Sequence, residues 1–200
     1  MPQSLKGKKV AILVADGFEQ SEFVEPKKAL EEAGALAVVV SPMKNEVQGW
    51  RHYDKGFKFK VDLPLEQADS DDFDALMLPG GVANPDQLRM NEKAVEFVSG
   101  FVDDDKPIAA ICHGPWTLIE ANGVKGKRMT SWPSLESDLR NAGAEWVDEE
   151  VVVDNGLVTS RKPDDLPVFN AKMIEEFAEG VHEPRGTRQD LRAFYKQPPH

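Results

Sequence analysis

Val10-Ala11-Ile12-Leu13-Val14-Ala15, followed at once by Asp16-Gly17-Phe18-Glu19, is the stretch from which the fold is read. An apolar run with no polar alternation fits a strand covered on both faces, as in the middle of a parallel sheet. Lys8 and Lys9 precede it. After the loop, Ser21 is placed to cap a helix whose apolar positions Phe23, Val24, Leu30 and Ala33 end at Gly34. Pro26 falls in the early turns, where proline is best tolerated. Ala37 to Ser41 reads as the next buried strand, so the chain opens as a strand-helix-strand unit.

The same grammar recurs downstream. Asp74-Ala75-Leu76-Met77-Leu78 is a buried-strand run ending in Pro79-Gly80-Gly81. Asn91 starts a helix with Val95, Val98 and Val102 on one face, and Pro107 introduces the strand Ile108 to Ile111. Gly114 to Asn122 forms a further helix with Gly123 as its left-handed terminator, and Ser134 to Ala142 another, stopped by Gly143. Val151 to Val153 and Leu157 to Thr159 flank Asp154-Asn155-Gly156, a hairpin turn. Leu166 to Glu179 predicts a last helix that spaces Phe169, Met173 and Phe177 four apart. Between Pro42 and Asp72 the pattern is weaker; Gly49, Gly56 and the alternation Phe57, Phe59, Val61 suggest short strands or a hairpin outside the main sheet. Strands alternating with helices predict an α/β fold, a mostly parallel central sheet with helices on both faces. A single domain over residues 1–180 and an extension over 181–200 are expected.

Composition narrows the function. The 200 residues carry a formal net charge of −11, which repels phosphate backbones, and no basic stripe reverses it locally, so nucleic acid is not expected as a partner. A single cysteine cannot close an internal disulfide, and neither a long apolar run nor a charged-then-apolar leader is present. A cytoplasmic setting without membrane contact is expected. Gly80-Gly81 lacks the spacing of either nucleotide fingerprint, and His52, His182 and His200 show no metal-ligand spacing, so no cofactor and no metal is expected.

In an open parallel sheet, ligands bind beyond the carboxyl ends of the strands. Three such ends carry Glu19, Gly80-Gly81 and Cys112-His113-Gly114. A thiol at a helix start is expected to gain thiolate character from unpaired N–H groups, which makes Cys112 the candidate nucleophile. Backbone N–H groups of Gly81 and His113 could converge on a developing oxyanion. The other reading of a lone cysteine, a small buried hydrophobe, stays open at this point. His113 could act as base if a sharp turn brings it back to the thiol. Glu19, directed to the same sheet edge, would raise the thiol pKa if ionised, or donate a hydrogen bond to the thiolate if protonated. Trp116 and Trp132 either line this pocket or belong to the core.

Longer blocks then come into register: Asp16-Gly17-Phe18-Glu19 with Glu22, Leu78-Pro79-Gly80-Gly81, Ala110-Ile111-Cys112-His113-Gly114-Pro115 and Asn141-Ala142-Gly143-Ala144-Glu145. Glu150 to Asp154, Thr159-Ser160-Arg161 and Pro163 to Pro167 continue the pattern. With these blocks the chain resembles the PfpI-like intracellular peptidases of the PfpI/ThiJ superfamily. The resemblance implies a flavodoxin-like sandwich of the class I glutamine amidotransferase type, Cys112 as nucleophile and His113 as its base. It also implies a homo-oligomer, at least a dimer, in which a carboxylate just after the Pro-Gly-Gly loop reaches a neighbouring subunit's site. Alignment through Pro85 puts Asp86 there, in place of the family's glutamate. A cysteine-dependent hydrolase with a stress-protective role follows, acting as a peptidase on peptides, or as a deglycase or glyoxalase on small carbonyl compounds and their adducts. A non-catalytic oxidative-stress sensor is the alternative of a different kind.

Overall fold

The computed structural model describes residues 3–181. The extension expected from Val181 lies, but for that residue, outside the described residues, as do His182 and His200.

Seven strands form the central sheet. Strand β1 (Lys9–Leu13) pairs in parallel with β3 (Leu36–Ser41) on one side and β7 (Ala75–Leu78) on the other. Beyond β7 lie β8 (Ile108–Ile111) and β12 (Leu157–Ser160), both parallel; β6 (Leu63–Pro64) extends the other edge beside β3. Only β11 (Val151–Asp154) runs antiparallel, returned by a turn in which Asn155 and Gly156 both have positive φ, as the Asp-Asn-Gly signal requires.

The apolar run of β1 divides between two cores according to the period of a strand. Val10, Ile12 and Val14 join Phe23 and Leu30 of α1 (Gln20–Glu32) and Phe169, Met173 and Phe177 of α6 (Leu166–Glu179). Ala11 and Leu13 face the opposite layer, with Phe97, Val98 and Phe101 of α3 (Glu92–Asp103), Leu88 of α2 (Ala83–Arg89), Leu118 of α4 (Pro115–Glu120) and Leu139 of α5 (Glu136–Asn141). The sheet is therefore covered on both faces, as predicted.

Outside it, β4 (Glu46–Arg51) and β5 (Asp54–Lys60) form the expected hairpin, joined by the short β2 (Phe18–Glu19). A separate parallel pair, β9 (Arg128–Met129) and β10 (Glu145–Trp146), lies beyond α4.

Local details depart from the sequence reading. Ser21 does not cap α1; Glu19 is the N-cap residue, without a side-chain cap, and Ser21 already sits inside the helix. Helix α2 has no counterpart in the sequence pattern, because Pro85 and four polar residues disguise its roughly two turns. Asn91 does cap α3, accepting the Ala94 N–H at 3.1 Å, but its core stripe is Ala94, Phe97, Val98 and Phe101, with Val95 and Val102 at its margins. After α4 the left-handed residue is Asn122, φ 57°, and not Gly123; asparagine tolerates that region because its short polar side chain bonds locally. The helix expected over 134–142 is a 3-10 turn, Pro133–Leu135, continued by α5.

Candidate active site

The carboxyl ends of β1, β7 and β8 meet at one cleft of about 320 Å³, lined by Glu19, Glu22, Gly81, Cys112 and His113 among others. This is the crevice at which strand order reverses about β1.

Cys112 follows β8 directly and has φ 62°, a left-handed conformation costly for a residue with a β-carbon. The surroundings over-determine it. Its N–H extends the β8–β12 ladder to the Ser160 carbonyl at 3.0 Å, its carbonyl accepts the Trp132 N–H at 2.9 Å, and the Gly114 N–H turns back to the Ile111 carbonyl at 2.9 Å. This sharp turn resolves the ambiguity of adjacent residues: His113 Nδ1 lies 3.2 Å from Cys112 Sγ. Nε2 of the same ring is 3.5 Å from Ser134 Oγ, and the indole of Trp132 stacks on the imidazole at 6.0 Å between centroids.

The glycines permit the close approach. A β-carbon on Gly80 would stand 2.5 Å from Glu22 Oε2 and 2.7 Å from Cys112 Cβ; one on Gly81 would stand 2.4 Å from the Gly17 carbonyl oxygen. Backbone N–H groups of Gly81 and His113 point at the sulfur and favour its charged form. They are the two N–H groups that the sequence offers as candidate oxyanion donors.

The carboxyl group that meets the thiol is Glu22, not Glu19. Glu22 is fully buried, accepts the Gly80 N–H on Oε2 at 3.0 Å, leaves Oε1 without a hydrogen-bond partner, and interacts with the Cys112 side chain. Burial above all, with the nearby charge of Glu19, pushes its pKa from 4.5 up to about 8. Burial also raises the Cys112 thiol well above its ordinary range, with the Glu22 charge adding to the effect. The two N–H groups and the short helix α4 do not offset this, so the expectation of a resting thiolate is corrected: at neutral pH the site holds a thiol and a protonated carboxylic acid. Burial lowers His113 to about 4, which leaves its imidazole neutral and able to accept a proton. An acid loaded with its proton and a base free of one, held apart by environment, is the arrangement acid–base catalysis needs.

Glu22 entered the sequence reading only as part of a matching block. The signal that could have found it is its register: it falls on the buried stripe of α1 with Phe23, Pro26 and Leu30, where an acidic residue has no bland reason to be. Glu19 does line the cleft, but at its mouth, where Oε2 accepts the His52 N–H at 2.9 Å and Oε1 is 3.4 Å from Ser21 Oγ. Asp86 is exposed on α2 and does not line the cleft of its own chain. Trp132 forms part of the wall, whereas Trp116 packs edge-on against His113 and donates its Nε1–H to Asp138 at 2.8 Å.

This strained cysteine turn between a buried glutamate and a Pro-Gly-Gly loop sits within a match to the DJ-1/PfpI family model over residues 8–176. The chain belongs to the DJ-1/PfpI family. Among its relatives, a deglycase of Thermococcus kodakarensis is 47% identical over 167 residues, covering 84% of this chain and 98% of that protein. General stress protein 18 of Bacillus subtilis is 43% identical over 169 residues, with 84% and 96% covered. YraA of the same organism, whose name marks it provisionally as a cysteine protease, is 45% identical over 167 residues, again with 84% and 96% covered. Among solved structures, Drosophila melanogaster DJ-1beta superposes with a TM-score of 0.78 at 31% identity, covering 86% of this chain and 90% of that one. A two-domain protein of Anabaena variabilis, with DJ-1/ThiJ/PfpI-like and ferritin-like domains, gives a TM-score of 0.80 at 34% identity; the match takes in 96% of this DJ-1/PfpI chain and 56% of that protein. Among the described residues no helix is long and apolar enough to cross a membrane.

Proposed function

We propose that this chain is a cysteine-dependent hydrolase of stress defence, acting as a PfpI-type peptidase in the cytoplasm. The observation that supports it most is the pairing of a neutral imidazole 3.2 Å from the Cys112 sulfur with a protonated Glu22 that also interacts with the thiol.

As a carbonyl carbon approaches, the thiol proton passes to His113 Nδ1 while an Sγ–C bond forms and the carbonyl electron pair moves onto oxygen. The Gly81 and His113 N–H groups receive that oxygen, and the Glu22 carboxylic acid donates a hydrogen bond to whichever of sulfur or oxygen carries the charge. Collapse breaks the C–N bond, the departing amine takes the proton from His113, and water then cleaves the thioester. Because the resting groups are neutral, attack and proton transfer are coupled.

A second reading is removal of methylglyoxal adducts, or conversion of methylglyoxal itself, as the name of the deglycase relative suggests. It uses the same first step. Wild type and Cys112→Ser would be tested on fluorogenic peptides, methylglyoxal and a methylglyoxal-treated peptide. Cys112-dependent release of product chooses among the substrates; no Cys112-dependent turnover on any of them overturns the hydrolase reading in favour of a redox sensor.

The proposal includes a homo-oligomer, at least a dimer, in which Asp86 of a second copy approaches His113. A carboxylate there would raise the imidazole pKa and strengthen the base. Asp86→Ala is then expected to lower the rate without unfolding the protein. A 22 kDa monomer by light scattering with activity intact would refute the role of Asp86.

A further inference from the structure

We infer that Asn84 is a positioning residue of the active site: its side-chain amide fixes the peptide between Gly80 and Gly81 so that the Gly81 N–H faces the reacting centre at Cys112. The inference rests on the reading of Cys112 as nucleophile and adds a residue that acts through the candidate oxyanion donor.

The loop that carries this donor has little conformational preference of its own. Two successive glycines lack β-carbons, so the peptide between them rotates more freely than one flanked by larger residues. Both must be glycine, because the approach to Glu22, Cys112 and Gly17 leaves no room for a β-carbon. Close packing thus demands the residues least able to hold an orientation. Among the described residues no backbone N–H donates to the Pro79 or Gly80 carbonyl, so the main chain does not hold the peptide either.

Asn84, fully buried at the start of α2, supplies what the loop lacks. Its Nδ2 donates to the Pro79 carbonyl at 3.0 Å and to the Gly80 carbonyl at 3.1 Å, while Oδ1 accepts the Ala15 N–H, just past β1, at 2.7 Å. These partners admit one orientation of the amide, since only its nitrogen can serve two carbonyls and only its oxygen an N–H. The peptide is trans, so its carbonyl and its N–H point in opposite directions. Holding the Gly80 oxygen toward Asn84 therefore holds the Gly81 N–H away from it, toward the sulfur whose charged form it favours. A carbonyl that accepts a hydrogen bond also polarises the N–H of the same peptide, which strengthens the donor. Glu22 Oε2 fixes the preceding N–H, that of Gly80, at 3.0 Å. The bond to Ala15 ties the loop to the strand end that leads into α1, so one side chain keeps the donor and the buried acid in register. Gln87 reinforces the tie by donating to the Asp16 carbonyl at 2.8 Å.

Asn84→Ser shortens the side chain without burying a charge. Phe101→Leu, in the core at the amino end of β8, controls for lost stability. With each protein shown to be folded by urea titration, kcat and KM would be measured on whichever peptide or carbonyl substrate wild type turns over. Alkylation by iodoacetamide at about pH 8, followed by intact mass, reports Cys112 alone because the chain has a single cysteine. Asn84→Ser is expected to lower kcat at least about tenfold, toward the ~100-fold cost of losing one oxyanion donor, with KM unchanged to within about twofold. It should also slow alkylation several-fold, because the thiolate loses an N–H partner. Phe101→Leu should do neither. In Asn84→Asp the protonated acid can donate to the Gly80 carbonyl as the amide does, and the ionised acid cannot, so kcat relative to wild type should fall from about pH 5 to about pH 8. An unchanged kcat or an unchanged alkylation rate in Asn84→Ser, or losses that Phe101→Leu reproduces, overturns the inference and leaves the hydrolase reading standing. A wild type that turns over none of the substrates discards the hydrolase reading instead, and the alkylation rates alone then decide whether Asn84 holds the Gly81 N–H on the sulfur.

Discussion

Replacing Glu22 by glutamine should stabilise the protein at neutral pH and leave it without that advantage in acid. Glutamine preserves the shape, and its carbonyl can accept the Gly80 N–H that Glu22 Oε2 now accepts at 3.0 Å. Burial holds the folded-state pKa of Glu22 near 8 against 4.5 for the free group. Between those values the folded protein binds a proton that the unfolded chain releases, so stability falls as pH rises. The contribution of the carboxyl is therefore fully present below 4.5 and is lost progressively up to about 8. From the gap between pH 4.5 and pH 7, the cost to wild type at pH 7 is about 3 kcal/mol, at 1.36 kcal/mol for each pH interval of one. In a domain of this size that corresponds to a melting temperature about 6 to 12 °C higher for Glu22→Gln. The new amide N–H₂, in the place of the buried Oε1 that now has no partner, brings a cost that does not vary with pH, so the slope carries the test. Paired urea unfolding of wild type and variant from pH 4.5 to pH 8, followed by tryptophan fluorescence, measures it. A stability difference that stays constant across that range would refute the reasoning: Glu22 would then be ionised in the folded state.

Three further outcomes follow from the site. The rate of Cys112-dependent turnover should describe a bell, falling below about pH 4 as His113 takes a proton and above about pH 8 as Glu22 loses one, measured as kcat/KM against pH; a plateau that continues rising through pH 9 would contradict the role of Glu22. Gly80→Ala should cost about 1–3 kcal/mol or more by overpacking, because the added methyl meets Glu22, Cys112 and the Ile111 carbonyl within 2.8 Å, and should slow alkylation of Cys112 as the turn shifts; denaturation midpoints and iodoacetamide rates together report it. Graded peroxide should add two oxygens at Cys112, since no second thiol in the chain can intercept the sulfenic acid, and Glu22→Leu, which removes the hydrogen-bond donor, should stop earlier or run on to three oxygens by intact mass.

The order of strands and helices was legible from the sequence because burial on both faces leaves uninterrupted apolar runs, and those runs end in the glycines and the cysteine that line the crevice. The runs that begin at Val10, Ala75 and Ile108 fall where the strands lie, the first running two residues past its strand, and Cys112 is singled out by its position after the last of them. Near-neighbour contacts in the chain fix such features. What the sequence did not determine was which acidic residue meets the thiol. Glu19 and Glu22 are one helical turn apart, and α1 must pack Phe23, Pro26 and Leu30 into the core before Glu22 is turned inward and Glu19 left at the mouth. Nor did it determine the protonation states. A thiol at the start of a helix reads as a thiolate from local dipoles alone, but burial and a buried carboxyl contributed by a helix 90 residues earlier outweigh two N–H groups. Desolvation depends on every atom packed around a group, so only the tertiary structure decided it.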